Sequence, residues 1–216
     1  MYIIGLLDDQ ESELKKIRRT ISPRNSSDIS FVNYPIPNKE TFVAIVNQIK
    51  DDILDEKIHS IIIDYQIFSE ENFFDGAKIY QEISVSFPKF STIILTQVID
   101  TALKQTNIDS DKLYIKSDFF ASGTDGSKRL VEKIFRNITI YLDEKHTLET
   151  KLCRLKTEIS QTTNPTQEQK LIDDITCLEA KLDEYIPTGL SEIEKRLKLD
   201  DDMNKMFDLI AKAKEL

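Results

Sequence analysis

The chain has 216 residues, 40% of them apolar and 31% charged, with five glycines and six prolines; this balance fits a folded, helix-rich protein better than a disordered one. A net charge of −9 and an isoelectric point near 4.9 argue against a long phosphate-tracking surface, and so against nucleic-acid binding. No apolar run approaches the ~20 residues of a membrane span, and MYIIGLLDD turns acidic too soon for a signal peptide, so a cytoplasmic protein is expected.

The first strand is Tyr2 to Leu7, YIIGLL, ending in Asp8 and Asp9. Two adjacent carboxylates after a buried strand are costly to place together unless a cation or solvent offsets their repulsion. Glu11 to Ile21 carries Leu14, Ile17 and Ile21 at helical spacing, acids in its first turn and Arg18 and Arg19 near its end, an order that suits the helix dipole. Pro23 to Asp28 reads as a loop and Ile29 to Tyr34 as a second strand. Pro35 and Pro37 then break the chain before a helix from about Lys39 to Asp52, with Phe42, Ile45, Val46 and Ile49 on one face.

His59 to Phe68, HSIIIDYQIF, is an apolar run of three isoleucines that stops at Asp64. Consecutive β-branched residues of this kind predict a strand buried on both faces, as in a parallel sheet covered by helices. A carboxylate at its carboxyl end sits where open α/β sheets place their ligands. A polar loop with Glu70, Glu71, Asn72 and the turn signal Asp75-Gly76 follows, then a helix from about Ala77 to Phe87. Ser91 to Leu95 is a fourth strand ending at Thr96. Thr101 to Thr106 reads as a short helix, Leu113 to Ile115 as a fifth strand ending at Lys116, and a last helix begins near Asp125 or Ser127. Five β-α units in succession predict a parallel sheet with helices on both faces and right-handed crossovers.

In such a sheet the carboxyl ends lie on one edge, so Asp8, Asp9, Asp64, Thr96 and Lys116 converge. An ion-pair network alone would account for Asp8, Asp9 and Lys116 but not for Asp64 and Thr96 on the same edge. The constellation resembles the receiver domain of bacterial two-component response regulators, a flavodoxin-like fold with strand order 2-1-3-4-5, over about residues 1 to 140. The resemblance implies Asp64 as phosphoacceptor, taking a phosphoryl group from a histidine of a sensor kinase or histidine phosphotransfer protein. It implies Mg²⁺ held by Asp8, Asp9, Asp64 and the Gln66 carbonyl, with Lys116 and Thr96 on the phosphoryl oxygens. No enzyme activity beyond Mg²⁺-dependent self-phosphorylation and autodephosphorylation is expected.

The chain departs from the family pattern in four places. Ser117 follows Lys116 where proline is usual, and Gly76 lies 12 residues beyond Asp64, about four further than common in the family. Gln97 follows Thr96 in place of a small residue, and the usual switch aromatic is Leu113, with Tyr114 beside it.

From Ser127, Ile134, Ile138, Tyr141, Lys145, Leu148, Leu152, Leu155 and Ile159 step by four and three alternately. Apart from Lys145 they form a heptad seam, so the fifth helix is expected to continue outward as a coiled-coil helix. Thr162 to Pro165 breaks it, and Leu171, Ile175, Leu178, Leu182 and Tyr185 repeat the steps before Pro187-Thr188-Gly189. Ser191 with Glu194 reads as a capping box, and Ile193, Leu197, Met203, Met206 and Ile210 line a third helix. Residues 1–126 are thus expected to form the receiver-like domain and 127–216 a helical hairpin plus third helix for dimerisation or protein docking. Cys153 and Cys177 have neither metal-ligand spacing nor a disulfide framework and read as reduced thiols. His146, in KHTLETKL, faintly resembles the phosphoaccepting boxes of kinase hairpins but has Thr147 where an acid is usual; an exposed histidine on a charged helix is the simpler reading.

The leading expectation is a response regulator, homodimeric through its helical region, whose Asp64 phosphorylation alters protein contacts rather than DNA binding. The alternatives are a phosphate sink or phosphorelay intermediate, and a scaffold that keeps the fold without signalling.

Overall fold

Ile61, Ile62 and Ile63 are completely shielded from solvent in the middle strand of a five-stranded parallel sheet. The computed structural model describes residues 1–22, 28–36, 40–69, 72–97 and 108–186. The sheet is built from β1 (Tyr2–Leu7), β2 (Ile29–Asn33), β3 (Ser60–Asp64), β6 (Ser91–Thr96) and β7 (Leu113–Ile115). Its order is β2-β1-β3-β6-β7, so the five parallel strands, counted along the chain, lie in the expected order 2-1-3-4-5. Every residue of β3 and β6 is buried, whereas β2, at the edge, is only half-buried. That gradient is what continuous β-branched runs in the centre of a doubly covered sheet require.

Helices α1 (Glu11–Ile21), α2 (Phe42–Leu54), α3 (Gly76–Ser86), α4 (Lys116–Phe120) and α5 (Asp125–Gln161) complete the first part of the chain. Side chains alternate across the sheet. Ile4, Leu6, Ile62, Ile93 and Leu95 pack with Leu14, Ile17 and Ile21 of α1 and with Ile134 and Ile138 of α5. Ile94 and Leu113 pack with Tyr65 and with Ala77 and Tyr80 of α3. A fully buried isoleucine is worth roughly 1.5–3 kcal/mol relative to exposure, so these two layers carry most of the favourable term. The end charges of α1 follow the dipole, with Glu11 and Glu13 in the first turn and Arg18 and Arg19 in the last.

The segment after Asp64 differs from expectation. The end of the apolar run and part of the expected polar loop form an antiparallel hairpin, β4 (Gln66–Ser69) with β5 (Asn72–Asp75), in which Gln66 pairs with Asp75 and Ser69 with Asn72. The run HSIIIDYQIF is therefore two strands broken at Tyr65, because Tyr65 still donates its amide to Leu95 O at 2.8 Å while Gln66 turns to its new partner. Gly76, expected in a turn, opens α3. The helix placed at Thr101 to Thr106, the Pro187-Thr188-Gly189 break and the third C-terminal helix with Met203 and Met206 lie outside the described residues.

Two compact units divide between Thr147 and Leu148, within α5. In the first unit α5 is anchored by Tyr2 Oη to Thr139 Oγ1 at 2.8 Å and by an edge-to-face contact of Tyr141 with Phe90. Lys145, the one polar member of the heptad series, is buried there and ion-paired with Glu56. In the second unit the end of α5 is followed by α6 (Pro165–Leu182). Asn164 caps α6, its Oδ1 accepting from the Thr166 amide at 3.0 Å, and Pro165 takes the first helical position, where its missing N–H costs nothing. Leu171 and Tyr185 are buried, Leu148, Leu152, Leu155, Ile159, Ile175, Leu178 and Leu182 half-buried, and the positions between them mostly exposed. Lys156 and Glu179 pair across the two helices at 2.9 Å. Both cysteines are free and exposed. Among the described residues no helix is long and apolar enough to cross a membrane.

Candidate functional site

Sheet register decides what meets at the carboxyl edge. Leu7 pairs with Ile63, Asp64 with Leu95, and Thr96 with Ile115. Asp8, directly after Leu7, and Lys116, directly after Ile115, are thereby delivered to either side of Asp64. Lys116 Nζ lies 2.9 Å from Asp64 Oδ2 and 3.3 Å from Asp8 Oδ2. Asp8, Asp9 and Asp64 each offer a carboxylate oxygen within 4.8 Å of the others. Thr96 is buried at the end of β6, one residue beyond the partner of Asp64.

Main-chain groups orient the acids. The Gln10 amide, at the start of α1, donates to Asp8 Oδ1 at 2.8 Å. Asp8 therefore satisfies an amide at the start of α1, while its other oxygen faces Lys116. The Gln66 side chain is exposed, and its backbone amide hydrogen-bonds the Asp64 carboxylate.

Burial dominates the electrostatics. Asp64 is pushed up to about 6, chiefly by desolvation and also by Asp8, against the opposing pull of Lys116 and the Gln66 amide. Asp8 is raised by desolvation too, with the Gln10 amide and Lys116 working the other way. Desolvation works to lower Lys116, but the two carboxylates outweigh it and hold the ammonium above its usual range. Two buried carboxylates with raised proton affinity, beside a third acid, form a donor set of hard oxygens suited to a small divalent cation.

The peptide bond before Ser117 is trans, as are all others among the described residues. Leu113 and Tyr114 are both buried. Lys133 Nζ stands 5.6 Å from the centre of the Tyr114 ring, and burial pushes the phenol up to about 12. His146 is exposed on α5. His59, at the opposite end of β3 from Asp64, accepts the Ile3 amide on Nδ1 at 3.0 Å.

Sequence motifs do not reveal three features of the site: the Gln10 and Gln66 amides, the hairpin that follows Asp64, and the close approach of Gly76 to the Asp64 main chain. Only the Asp75-Gly76 dipeptide carries a local signal, and that signal points to a turn.

Fold and site together define a doubly wound α/β domain with an acid–lysine cluster on the carboxyl edge of its sheet. No protein-family model matches the chain, and no curated protein matches it. Among solved structures, the RcsB response regulator of Salmonella typhimurium, described for conformational dynamism in DNA interaction, is 15% identical with a TM-score of 0.39, over 84% of this chain and 91% of that one. RcsB of Salmonella enterica serovar Typhimurium, bound to promoter rprA with the phosphomimetic BeF3-, is 14% identical with a TM-score of 0.41, over 90% and 98%. The sheet order and register of this chain define its fold by themselves.

Proposed function

We propose that this chain is a response regulator whose Asp64 accepts a phosphoryl group from a phosphohistidine on a kinase or phosphotransfer partner. The observation that carries the reading is the meeting of Asp8, Asp9, Asp64 and Lys116 on one sheet edge, with the lysine ammonium between two carboxylates. In the proposed step an Asp64 oxygen forms the new P–O bond as the donor's P–N bond breaks. The imidazole leaves with the electron pair and is protonated by solvent. Lys116 turns from the carboxylates to the phosphoryl oxygens as charge develops there, and the Thr96 hydroxyl donates to the acyl phosphate.

Asp8, Asp9 and Asp64, with the Gln66 carbonyl as a further oxygen donor, are the residues that would hold Mg²⁺. The donor chemistry fits, since Mg²⁺ favours a few carboxylates and retained waters at ~2.0–2.1 Å. An ion held by these residues would supply neutralisation of the charge that develops during transfer.

The helices from Leu148 onward are proposed to supply the output through protein contacts or self-association. The support is compositional: the region is acidic and carries no recognisable helix-turn-helix sequence. The RcsB structures are described as engaging DNA, and that property is not carried over. Incubation with Mg²⁺ and acetyl phosphate should add the mass of one phosphate to the wild type and none to Asp64→Asn. Absence of the increment with several phosphodonors would overturn the reading. Sedimentation with and without phosphodonor tests the output: a shift in mass that Asp64→Asn lacks supports self-association, while unchanged sedimentation favours a phosphate sink.

A further inference from the structure

We propose that Gly76 is a positioning residue for Asp64, required to be glycine by the approach of its Cα to the Asp64 peptide; this rests on the phosphoacceptor reading above. An ideal Cβ on Gly76 would stand 2.0 Å from the Asp64 carbonyl oxygen, 2.9 Å from Ile63 Cγ2 and 3.1 Å from the Asp64 carbonyl carbon. The shortest contact is with backbone, which has no rotamer to escape into. Any side chain at 76 must therefore displace the Asp64 main chain, or the start of α3, by about an ångström. Conformational freedom is not the reason, because among the described residues the only glycine with positive φ is Gly123.

The surrounding hydrogen bonds make that contact consequential. The Gly76 amide donates to Tyr65 O at 2.8 Å, and the Tyr65 amide donates to Leu95 O at 2.8 Å. The residue after Asp64 is thus tied to β6 on one side and to the first residue of α3 on the other. Gln66, whose amide reaches the Asp64 carboxylate, is held by its pairing with Asp75 at the base of the hairpin. Between them these bonds set where the peptide after Asp64 lies, and hence where its carboxylate points. Gly76 is the position at which this arrangement tolerates no added atom. The β4–β5 hairpin acts as a closed clip that begins and ends on the neighbours of the acceptor, replacing an open loop.

The test is Gly76→Ala in the full chain, with Ala77→Gly as control. The control lowers helix propensity one residue away without adding an atom near Asp64. At a temperature where both are fully folded, and at saturating Mg²⁺ and acetyl phosphate, Gly76→Ala should slow phosphorylation by tenfold or more, since a misplacement of ~1 Å costs on the order of 10²-fold. Ala77→Gly should stay within about twofold of the wild type, because propensity acts on the folding equilibrium. Phosphorylation of Gly76→Ala at the wild-type rate overturns the proposal and leaves the phosphoacceptor reading standing. A wild type that takes up no phosphate overturns both. Should Gly76→Ala fail to fold, hydrogen exchange on the wild type decides. The Tyr65 and Gly76 amides should be among the slowest in the chain, and exchange at loop rates overturns the clip.

Discussion

Lys116 and Asp64 form an ion pair at 2.9 Å in which neither side chain is more than a tenth exposed, and Asp8 shares the same ammonium at 3.3 Å. One cation thus serves two carboxylates, with a third, Asp9, alongside. Removing the cation leaves buried like charges, a situation that costs about 3–5 kcal/mol when one partner of a buried pair is deleted. Lys116→Met should therefore lower stability by roughly 3 kcal/mol at pH 7.5. Urea unfolding should show a much smaller loss at pH 5, where Asp64 is largely protonated.

Asp64 gives the metal-free protein a stability profile of its own. Its folded pKa, about 6, lies above the ordinary 3.8, so between these values the native state binds more protons than the unfolded state. Stability is then highest at the acid end of the window and falls as pH rises through 6, by about 2–3 kcal/mol for a shift of this size. Denaturant titrations of Asp64→Asn between pH 4 and 7 should lack that decline. A profile identical to the wild type's would show that Asp64 is not its source.

His59 carries the opposite sign. Burial lowers its pKa, with Glu56 pulling up and Lys145 and the N-terminal ammonium pulling down. The unfolded chain therefore takes up the proton first. The contribution is fully present above the unfolded value of about 6.5 and is lost as pH falls toward the folded one. Protonation also removes the Nδ1 lone pair that accepts the Ile3 amide. His59→Asn retains an acceptor without the titration, and its unfolding midpoint should vary less than the wild type's between pH 7 and 5.

Glu56 combines two opposing effects. It pairs with buried Lys145 and sits at φ 55°, a left-handed conformation that favours glycine. Its side chain is more than half exposed, which limits the pair to about 1 kcal/mol. Thermal melts should place Glu56→Ala about 1 kcal/mol below the wild type, since it loses the pair and keeps the backbone cost. Glu56→Gly should come out near neutral, because relief of strain offsets the lost pair.

Truncation separates α5 into parts with different duties. Ile134, Ile138 and Tyr141 are core residues of the first unit, which extends to Thr147. A chain ending at residue 147 should unfold cooperatively with native-like circular dichroism. One ending at 126 should be unfolded, because it lacks three large buried side chains worth roughly 1.5–3 kcal/mol each.

Much of this molecule is legible without coordinates. The run Ser-Ile-Ile-Ile-Asp announces a central strand, because three consecutive β-branched residues suit a strand covered on both faces. Once the strands are taken as parallel, Asp8, Asp64, Thr96 and Lys116 must share an edge. Chain order and a period of two residues suffice for that inference.

Tertiary structure decided the rest, because the partners involved are distant in sequence or present only backbone. The break at Tyr65 is invisible inside a continuous apolar run, since it depends on whether Gln66 pairs with β6 or with Asp75. The Lys145–Glu56 pair joins residues 89 apart, so a lysine that interrupts a heptad series locally is a buried ion-pair member globally. Gly76 shows the same limit: in a one-dimensional reading Asp75-Gly76 is a turn signal, and the need for glycine appears only when the Asp64 carbonyl is found where a Cβ would have to be. Local patterning reports which faces avoid water, whereas close approach between segments is a property of the packed chain alone.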